Sequence, residues 1–112
     1  MSFAESALPE SIQLADGRYL VSSLQDSEGN LHESSIDLNE FIGNIDGKFQ
    51  WGKIAFLESA KNIWLDTAHA PALILLKAEL QKEDEDYVED GINLNEFIQN
   101  VEGQFQYIGP SE

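Results

Sequence analysis

The polar residues whose spacing could do chemistry occur in two matching copies. Asn44-Ile45-Asp46-Gly47 returns 56 residues later as Asn100-Val101-Glu102-Gly103. An amide and a carboxylate followed by glycine are typical of a tight turn, because such side chains bond to nearby backbone and glycine accepts a positive φ. The same groups can also hydrogen-bond a ligand. Turn formation is the simpler interpretation of the residue types alone, and a ligand site built from these residues would occur twice.

The acidic residues suggest catalysis only weakly. Glycosidases need two carboxylates at a defined separation, but a chain with 21 acidic residues brings some carboxylates close together by chance. His32 and His69 belong to no partnered catalytic motif, and the sequence contains no phosphate-binding loop, dinucleotide fingerprint or HExxH motif. We therefore expect a protein that is not an enzyme.

Calcium binding is a second alternative. The acidic run at 83–86 is suited to holding a hard cation weakly, whereas 26–30 lacks the glycine position and the terminal Glu of an EF-hand loop. The chain has no cysteine, which excludes disulfides and thiolate metal ligands. A charged run is usually solvated surface, so we expect no metal and no cofactor.

The repetition extends over most of the chain. Residues 36–51 match 92–107 with 10 of 16 positions identical, and shorter matches join 20–25 to 76–81 and 3–7 to 56–60. The tandem repeats therefore run over about 1–51 and 54–107. Because a half-length unit would be only marginally stable alone, we expect one domain over 1–112 with a shared core.

The apolar patterns favour β structure. Short apolar or alternating runs predict strands at 12–14, 19–21, 48–51, 63–65, 73–76 and 104–107. The apolar spacing at 38–42 and 94–98 predicts short helical turns. The acidic segment 81–90 is interpreted as a solvated hairpin loop, and Trp64 has no aromatic counterpart in the first repeat.

The formal net charge of −15 limits the partners. It repels phosphate backbones and anionic membrane surfaces, so we expect no nucleic-acid binding. No apolar run approaches the length of a membrane span, and no signal peptide is evident, so we expect no membrane insertion and a cytoplasmic location. Neutral partners are compatible with this charge.

The ordered motifs in both halves resemble the cyanovirin-N homology (CVNH) family. The resemblance rests on 34–39, 44–51 and 91–95 together with the tandem repeat, and it covers essentially the whole chain. It implies an all-β fold with two pseudo-symmetric, strand-exchanged lobes, each a three-stranded sheet plus a β-hairpin with short helical turns. Lobe A would be about 1–41 plus 97–112, and lobe B about 42–96.

The chain departs from the disulfide-bonded pattern of cyanovirin-N and is similar to disulfide-free fungal members. The positions that match the two disulfides hold Ala7 with Leu24 and Ala60 with Leu80. The resemblance also places the hinge of the family's domain-swapped dimers at 51–54. We expect a monomer, with a domain-swapped dimer through that hinge as the second form.

The family's members are lectins for mannose-rich glycans, so the resemblance implies two carbohydrate sites. The lobe A site would consist of Glu5, Ser6, Gln25, Ser27, Asn100, Val101 and Glu102. The lobe B site would consist of Asn44, Asp46, Glu58, Ser59, Lys82, Glu83 and Glu85. Glu102 stands where the family pattern has Asp, and Glu83 stands where an Arg can close over the sugar. The alternative is a protein-interaction module that keeps the fold without sugar binding.

Overall fold

The computed structural model describes residues 3–110, and its secondary structure is dominated by short strands. The strands are β1 (Gln13–Ala15), β2 (Tyr19–Gln25), β3 (Leu31–Asp37), β4 (Ile42–Ile45), β5 (Lys48–Trp51), β6 (Ala60–Asp66), β7 (Leu75–Gln81), β8 (Tyr87–Asn93), β9 (Ile98–Val101) and β10 (Gln104–Tyr107). Short 3₁₀ turns lie at Phe3–Ser6, Pro9–Ser11, Leu38–Glu40, Phe56–Ser59 and Leu94–Glu96.

The strands form two three-stranded sheets and two hairpins. The sheets are β1-β2-β3 and β6-β7-β8, the hairpins are β4-β5 and β9-β10, and neighbouring strands are antiparallel throughout. The predicted all-β architecture with two equivalent halves is therefore confirmed.

Each hairpin packs on the sheet of the other sequence repeat. Strand β5 contacts β8, and β10 contacts β3. The ring of Phe49 meets Phe56 edge-on at 5.7 Å between centroids, and Phe105 meets Phe3 in the same way at 5.2 Å. This exchange explains why a single repeat cannot complete its own core. The predicted lobe limits, between residues 41 and 42 and between residues 96 and 97, stay a prediction. Residues 1, 2, 111 and 112 of predicted lobe A lie outside the described range.

The core repeats the sequence symmetry. Four fully buried side chains of the first half have fully buried counterparts 56 residues later: Leu20 and Leu76, Leu24 and Leu80, Leu38 and Leu94, Ile42 and Ile98. The pairs that replace disulfides also meet. Ala7 forms a bridge with Leu24, and Ala60 lies opposite Leu80 between β6 and β7. Apolar contact thus takes the place of the covalent links.

Four aromatic side chains join the two hairpins. Tyr107 stacks on Trp51 at 5.8 Å and on Phe41 at 4.5 Å between ring centroids, and Phe97 meets Trp51 edge-on at 5.4 Å. Trp51 and Phe49, like Phe105, also pack against the core. These strand aromatics therefore act as packing residues between the hairpins and the core.

Two sequence expectations were wrong in their limits. The segment 81–90 is not a loop throughout, because β7 continues to Gln81 and β8 begins at Tyr87. Glu89, an acidic residue within β8, is compatible with a strand because it lies on the exposed face of β8. The helical turns are also shorter than 38–42 and 94–98, since β4 and β9 begin at Ile42 and Ile98.

Candidate functional site

The two copies of the polar motif form tight hairpin turns. Asp46 and Gly47 have φ values of 49° and 85°, and Glu102 and Gly103 have φ values of 50° and 87°. Two successive positive φ values are the geometry that suits a two-residue turn between twisted antiparallel strands, and glycine adopts it without strain. The motif therefore closes β4-β5 and β9-β10, as its turn chemistry predicts.

Asn44 connects its hairpin to two other parts of lobe B. Its Oδ1 accepts a hydrogen bond from the Gly47 amide at 2.8 Å, and its Nδ2 donates to Ser59 Oγ at 2.9 Å and to the Gln81 carbonyl at 2.8 Å. Both amide hydrogens are thus used within the protein. Asn44 positions the neighbouring groups, and only its partly used Oδ1 is left for a ligand.

Asn100 repeats this arrangement in lobe A. Its Oδ1 accepts from the Gly103 amide at 2.8 Å, and its Nδ2 donates to Ser6 Oγ at 2.8 Å and to the Gln25 carbonyl at 2.7 Å. We call these two arrangements the Asn44 cluster (Asn44, Ser59, Gln81) and the Asn100 cluster (Asn100, Ser6, Gln25). Each draws its Asn from one sequence repeat and its other members from the other repeat.

A second Asn from each repeat holds the serine-bearing turn in place. Asn39 Oδ1 accepts from the Leu57 amide at 2.9 Å, at the 3₁₀ turn that carries Ser59. Asn95 Oδ1 accepts from the Ala4 amide at 3.3 Å, at the 3₁₀ turn that carries Ser6. The matching Leu-Asn-Glu segments of the two repeats therefore fix the serines of both clusters.

The acidic residue of each hairpin turn holds the adjacent loop. In lobe B, Asp46 Oδ1 accepts a hydrogen bond from the Glu83 amide at 3.0 Å. In lobe A, Ser27 Oγ donates to Glu102 Oε1 at 2.8 Å. Glu102 is one methylene longer than the Asp of the family pattern. Its carboxylate therefore accepts from the Ser27 hydroxyl, whereas the shorter Asp46 accepts from a backbone amide.

The lobe A loop is stabilised by Asp26. Its Oδ1 accepts from the Glu28 and Asn30 amides, each at 2.9 Å, and its Oδ2 lies 2.7 Å from His32 Nε2. The hydrogen bond with His32 is the main cause that holds the pKa of Asp26 below its usual value. The His32 ring also borders the hairpin turn, since a Cβ on Gly103 would lie 2.5 Å from His32 Cδ2.

The lobe B loop is built differently. Lys82 occupies the position of Asp26, and its Nζ lies 3.6 Å from Asp84 Oδ2. Glu85 has a φ of 72° at the position where the first repeat has Gly29. The two lobes therefore share the Asn-centred clusters and differ in the charge and conformation of the bordering loops.

The structure brings most of the predicted site residues together. In lobe A, direct hydrogen bonds join Asn100 to Ser6 and Gln25, and a further one joins Ser27 to Glu102. In lobe B, direct hydrogen bonds join Asn44 to Ser59 and Asp46 to Glu83. Glu5, Val101 and Glu58 are exposed neighbours along the chain, and Lys82 and Glu85 belong to the loop between β7 and β8.

Sequence reasoning missed Gln81 in lobe B. Its carbonyl is a full member of the Asn44 cluster, and its counterpart Gln25, 56 residues earlier, was predicted for lobe A. Applying the repeat spacing in both directions would have found it.

Comparison with known proteins identifies the family. The CVNH domain profile matches residues 3–106. This chain belongs to the CVNH family. The Cyanovirin-N homolog of Neurospora crassa is 34% identical over 108 residues, covering 95% of this chain and 97% of that protein.

Solved CVNH structures agree with the fold. The NMR structure of the Gibberella zeae CVNH protein has a TM-score of 0.87 and 40% identity, covering 96% of this chain and 97% of that one. Microvirin, solved as a mannobiose complex, has a TM-score of 0.81 and 25% identity, covering 95% and 97%. Members of the CVNH family are carbohydrate-binding lectins, and this member has no cysteine.

Residues 3–110 contain neither a metal-binding cluster nor a membrane-spanning helix. No group of three or more His, Asp or Glu side chains in this range is arranged to hold a metal ion. Within the same range, no helix has the length and apolarity needed to cross a bilayer.

Proposed function

We propose that this chain is a non-catalytic lectin that binds neutral, mannose-containing oligosaccharides through the Asn44 and Asn100 clusters. The observation that carries the proposal is the duplicated geometry, in which equivalent hydrogen bonds differ by no more than 0.1 Å between the lobes. The relationship to microvirin, whose structure was solved with mannobiose, supports mannose as the sugar.

The hydrogen-bonding groups beside each cluster suit sugar hydroxyls. Ser59 Oγ accepts from Asn44, so its own hydrogen is available to donate to a sugar oxygen. Glu58 is exposed beside Ser59, and a carboxylate accepts from two neighbouring hydroxyls at once. In lobe A, Glu5 is likewise exposed. Ser6 Oγ accepts from Asn100 at 2.8 Å and donates to the Phe3 carbonyl over a long 3.5 Å, so a sugar oxygen would compete with that carbonyl for the Ser6 hydrogen. These groups need neither metal nor covalent chemistry to hold a sugar.

The charge of the chain favours an uncharged ligand. A net charge of −15 opposes the approach of sulfated or phosphorylated glycans, whereas a neutral oligosaccharide meets no such repulsion. Single sites of this polar, exposed kind bind modestly. Two sites on one chain increase the avidity for a branched glycan whose arms reach both lobes.

An NMR titration tests the proposal. Isotope-labelled protein is titrated with an α-linked mannose disaccharide while backbone amide shifts are followed. We expect saturable shifts at 44–47 and 58–59, at 5–6 and 100–103, or at both. A well-dispersed spectrum in which neither cluster responds would contradict the proposal and favour a protein-interaction module on the CVNH fold.

A further inference from the structure

We propose that the groove between β1 and β6 is a third carbohydrate site, where the exposed indole of Trp64 stacks on the apolar face of a neutral sugar ring. This groove, which we call the β1–β6 groove, lies where the two sheets approach each other and has a volume of about 490 Å³. Small-molecule sites typically fall within about 300–1,000 Å³. The proposal does not require either Asn-centred cluster to bind sugar.

The sequence symmetry is broken at the point where stacking would occur. The groove is lined by matching segments of the two repeats, with Ile12 and Leu14 on one side and Ile63 and Leu65 on the other. The residue between each pair is Gln13 in the first repeat and Trp64 in the second. Trp64 is 47% exposed although tryptophan is normally a buried or interface residue.

Contacts along the sheet face fix the position of the indole. Lys77 lies opposite Trp64 on β7, with its Nζ 5.3 Å from the ring centroid. Lys77 Nζ is in turn 3.5 Å from Asp66 Oδ2. A cation over one face of the ring and an acid beside the cation restrain the indole, so little conformational freedom is lost when a ligand stacks on the other face.

The lining matches a neutral ligand with both apolar and polar faces. None of the residues that line the groove is charged, in a chain of which 24% is charged. Gln13 and Thr67 supply polar side chains beside the aliphatic ones. β1 and β6 are also edge strands, and such strands present backbone donors and acceptors on their open side. A sugar ring has apolar C–H faces and a hydroxyl edge, which this lining can accept together.

The spacing of the two edges argues against an inserted peptide strand. A strand placed between β1 and β6 with hydrogen bonds to both would separate them by about 9.6 Å, twice the usual strand spacing. Some Cα atoms of β1 and β6 are already within 8 Å of each other. A flat ring resting on Trp64 needs no such separation.

The test follows the indole N–H and the groove amides by NMR. Labelled protein is titrated separately with an α-linked mannose disaccharide, cellobiose and N,N′-diacetylchitobiose at up to millimolar concentration. We expect at least one of them to shift the Trp64 indole signal together with Gln13 and Thr67. Because the Asn44 and Asn100 clusters report through other residues, failure of the proposed lectin sites and failure of the groove are separable.

Trp64→Gln is the matched variant, since Gln is the residue that the first repeat has at this position. It should abolish the groove shifts and leave any shifts at Asn44 and Asn100 unchanged. Groove signals that stay silent with all three sugars would overturn the proposal, as would groove shifts that survive Trp64→Gln. Groove shifts that depend on protein concentration without sugar would mean that a second copy of the chain occupies the groove, which also overturns it.

Discussion

Arg18 and Asp37 form a two-bond ion pair that exists in the first repeat alone. Arg18 Nε donates to Asp37 Oδ1 at 3.0 Å, and a terminal guanidinium nitrogen donates to Oδ2 at 2.6 Å. Asp37 Oδ1 also caps the next 3₁₀ turn by accepting from the Asn39 amide at 3.1 Å. In the second repeat Asn93 makes the equivalent cap, and Ile74 stands in the position of Arg18.

The first prediction is that Asp37→Asn lowers the melting temperature by a few degrees at neutral pH. The substitution keeps the cap, as Asn93 demonstrates, and removes the charge that pairs with Arg18. The bond to Arg18 holds the pKa of Asp37 below its usual value. A carboxylate whose pKa is lower in the folded than in the unfolded protein stabilises the fold, and this contribution is fully present above the unfolded pKa of about 4. The contribution is lost as the pH falls through the folded pKa.

Thermal melts of both proteins from about pH 2 to about pH 7, a range that contains the ordinary Asp pKa of about 4, would measure this. The difference in melting temperature between the wild type and Asp37→Asn should be constant above about pH 5 and should disappear toward about pH 2. Asp26 and Asp66 also have lowered pKa values, but both proteins contain them, so their contributions cancel in the comparison. A gap that is independent of pH would show that the ion pair is not its cause.

The second prediction is that Asn44→Ala destabilises the fold as well as the lobe B site. The change removes three hydrogen bonds and leaves the Gln81 carbonyl without its partner, at a cost of about 2 kcal/mol. Denaturant unfolding measures the loss. Asn100→Ala should cost a similar amount because its cluster has the same geometry, and a variant at either position with wild-type stability would contradict the structural role.

The third prediction separates the two lobes by removing one carboxylate at a time. Glu58→Gln should weaken disaccharide binding in lobe B by about tenfold, the loss expected for one charge-assisted hydrogen bond. Glu5→Gln should do the same in lobe A. Both side chains are exposed, so each variant should melt like the wild type. Each variant is the control of the other, and equal weakening of both lobes by either change would argue against independent sites.

The fourth prediction is that Ala60→Cys with Leu80→Cys forms a disulfide that stabilises the fold. The two residues are direct partners between β6 and β7. Facing residues of antiparallel strands have Cα atoms about 4.5–5.5 Å apart, within the range of about 4.4–6.8 Å that disulfides need. The oxidised protein should gain up to about 2–4 kcal/mol relative to its reduced form.

Thiol titration and paired oxidised and reduced melts would check this variant. The reduced form should be less stable than the wild type, because Leu80 is fully buried and a smaller side chain leaves a cavity. Free thiols that persist under oxidising conditions would show that the strand partners are not placed as described.

The sequence was most predictive where it repeats itself. Residues such as Leu38 and Leu94 are buried equivalently because the same apolar spacing occurs at the same place in each half. The Asp-Gly and Glu-Gly turns form because their residue types suit positive φ values. The architecture and the family could therefore be predicted from the sequence.

The strands β3 and β8 were not predicted, because their side chains do not alternate clearly between apolar and polar. Glu33 and Glu89 lie on strands whose backbones pair with β2 and β7 while much of the side-chain surface faces water. Strand pairing of this kind depends on the neighbouring strand and leaves a weak local signal. The hydrogen bonds from Asn44 to Ser59 and Gln81 were not predicted for a related reason, since these partners are 15 and 37 residues away.

The crossed composition of the two clusters has an evolutionary consequence. Asn44 binds Ser59 and the Gln81 carbonyl of the second repeat, and Asn100 binds Ser6 and the Gln25 carbonyl of the first. Deleting either half of the gene would therefore destroy both clusters in a single event. Point substitutions, by contrast, can disable one cluster and spare the other, so mutation can change the number of intact clusters from two to one. Truncation to a single repeat cannot do this, because one repeat contains neither cluster in full.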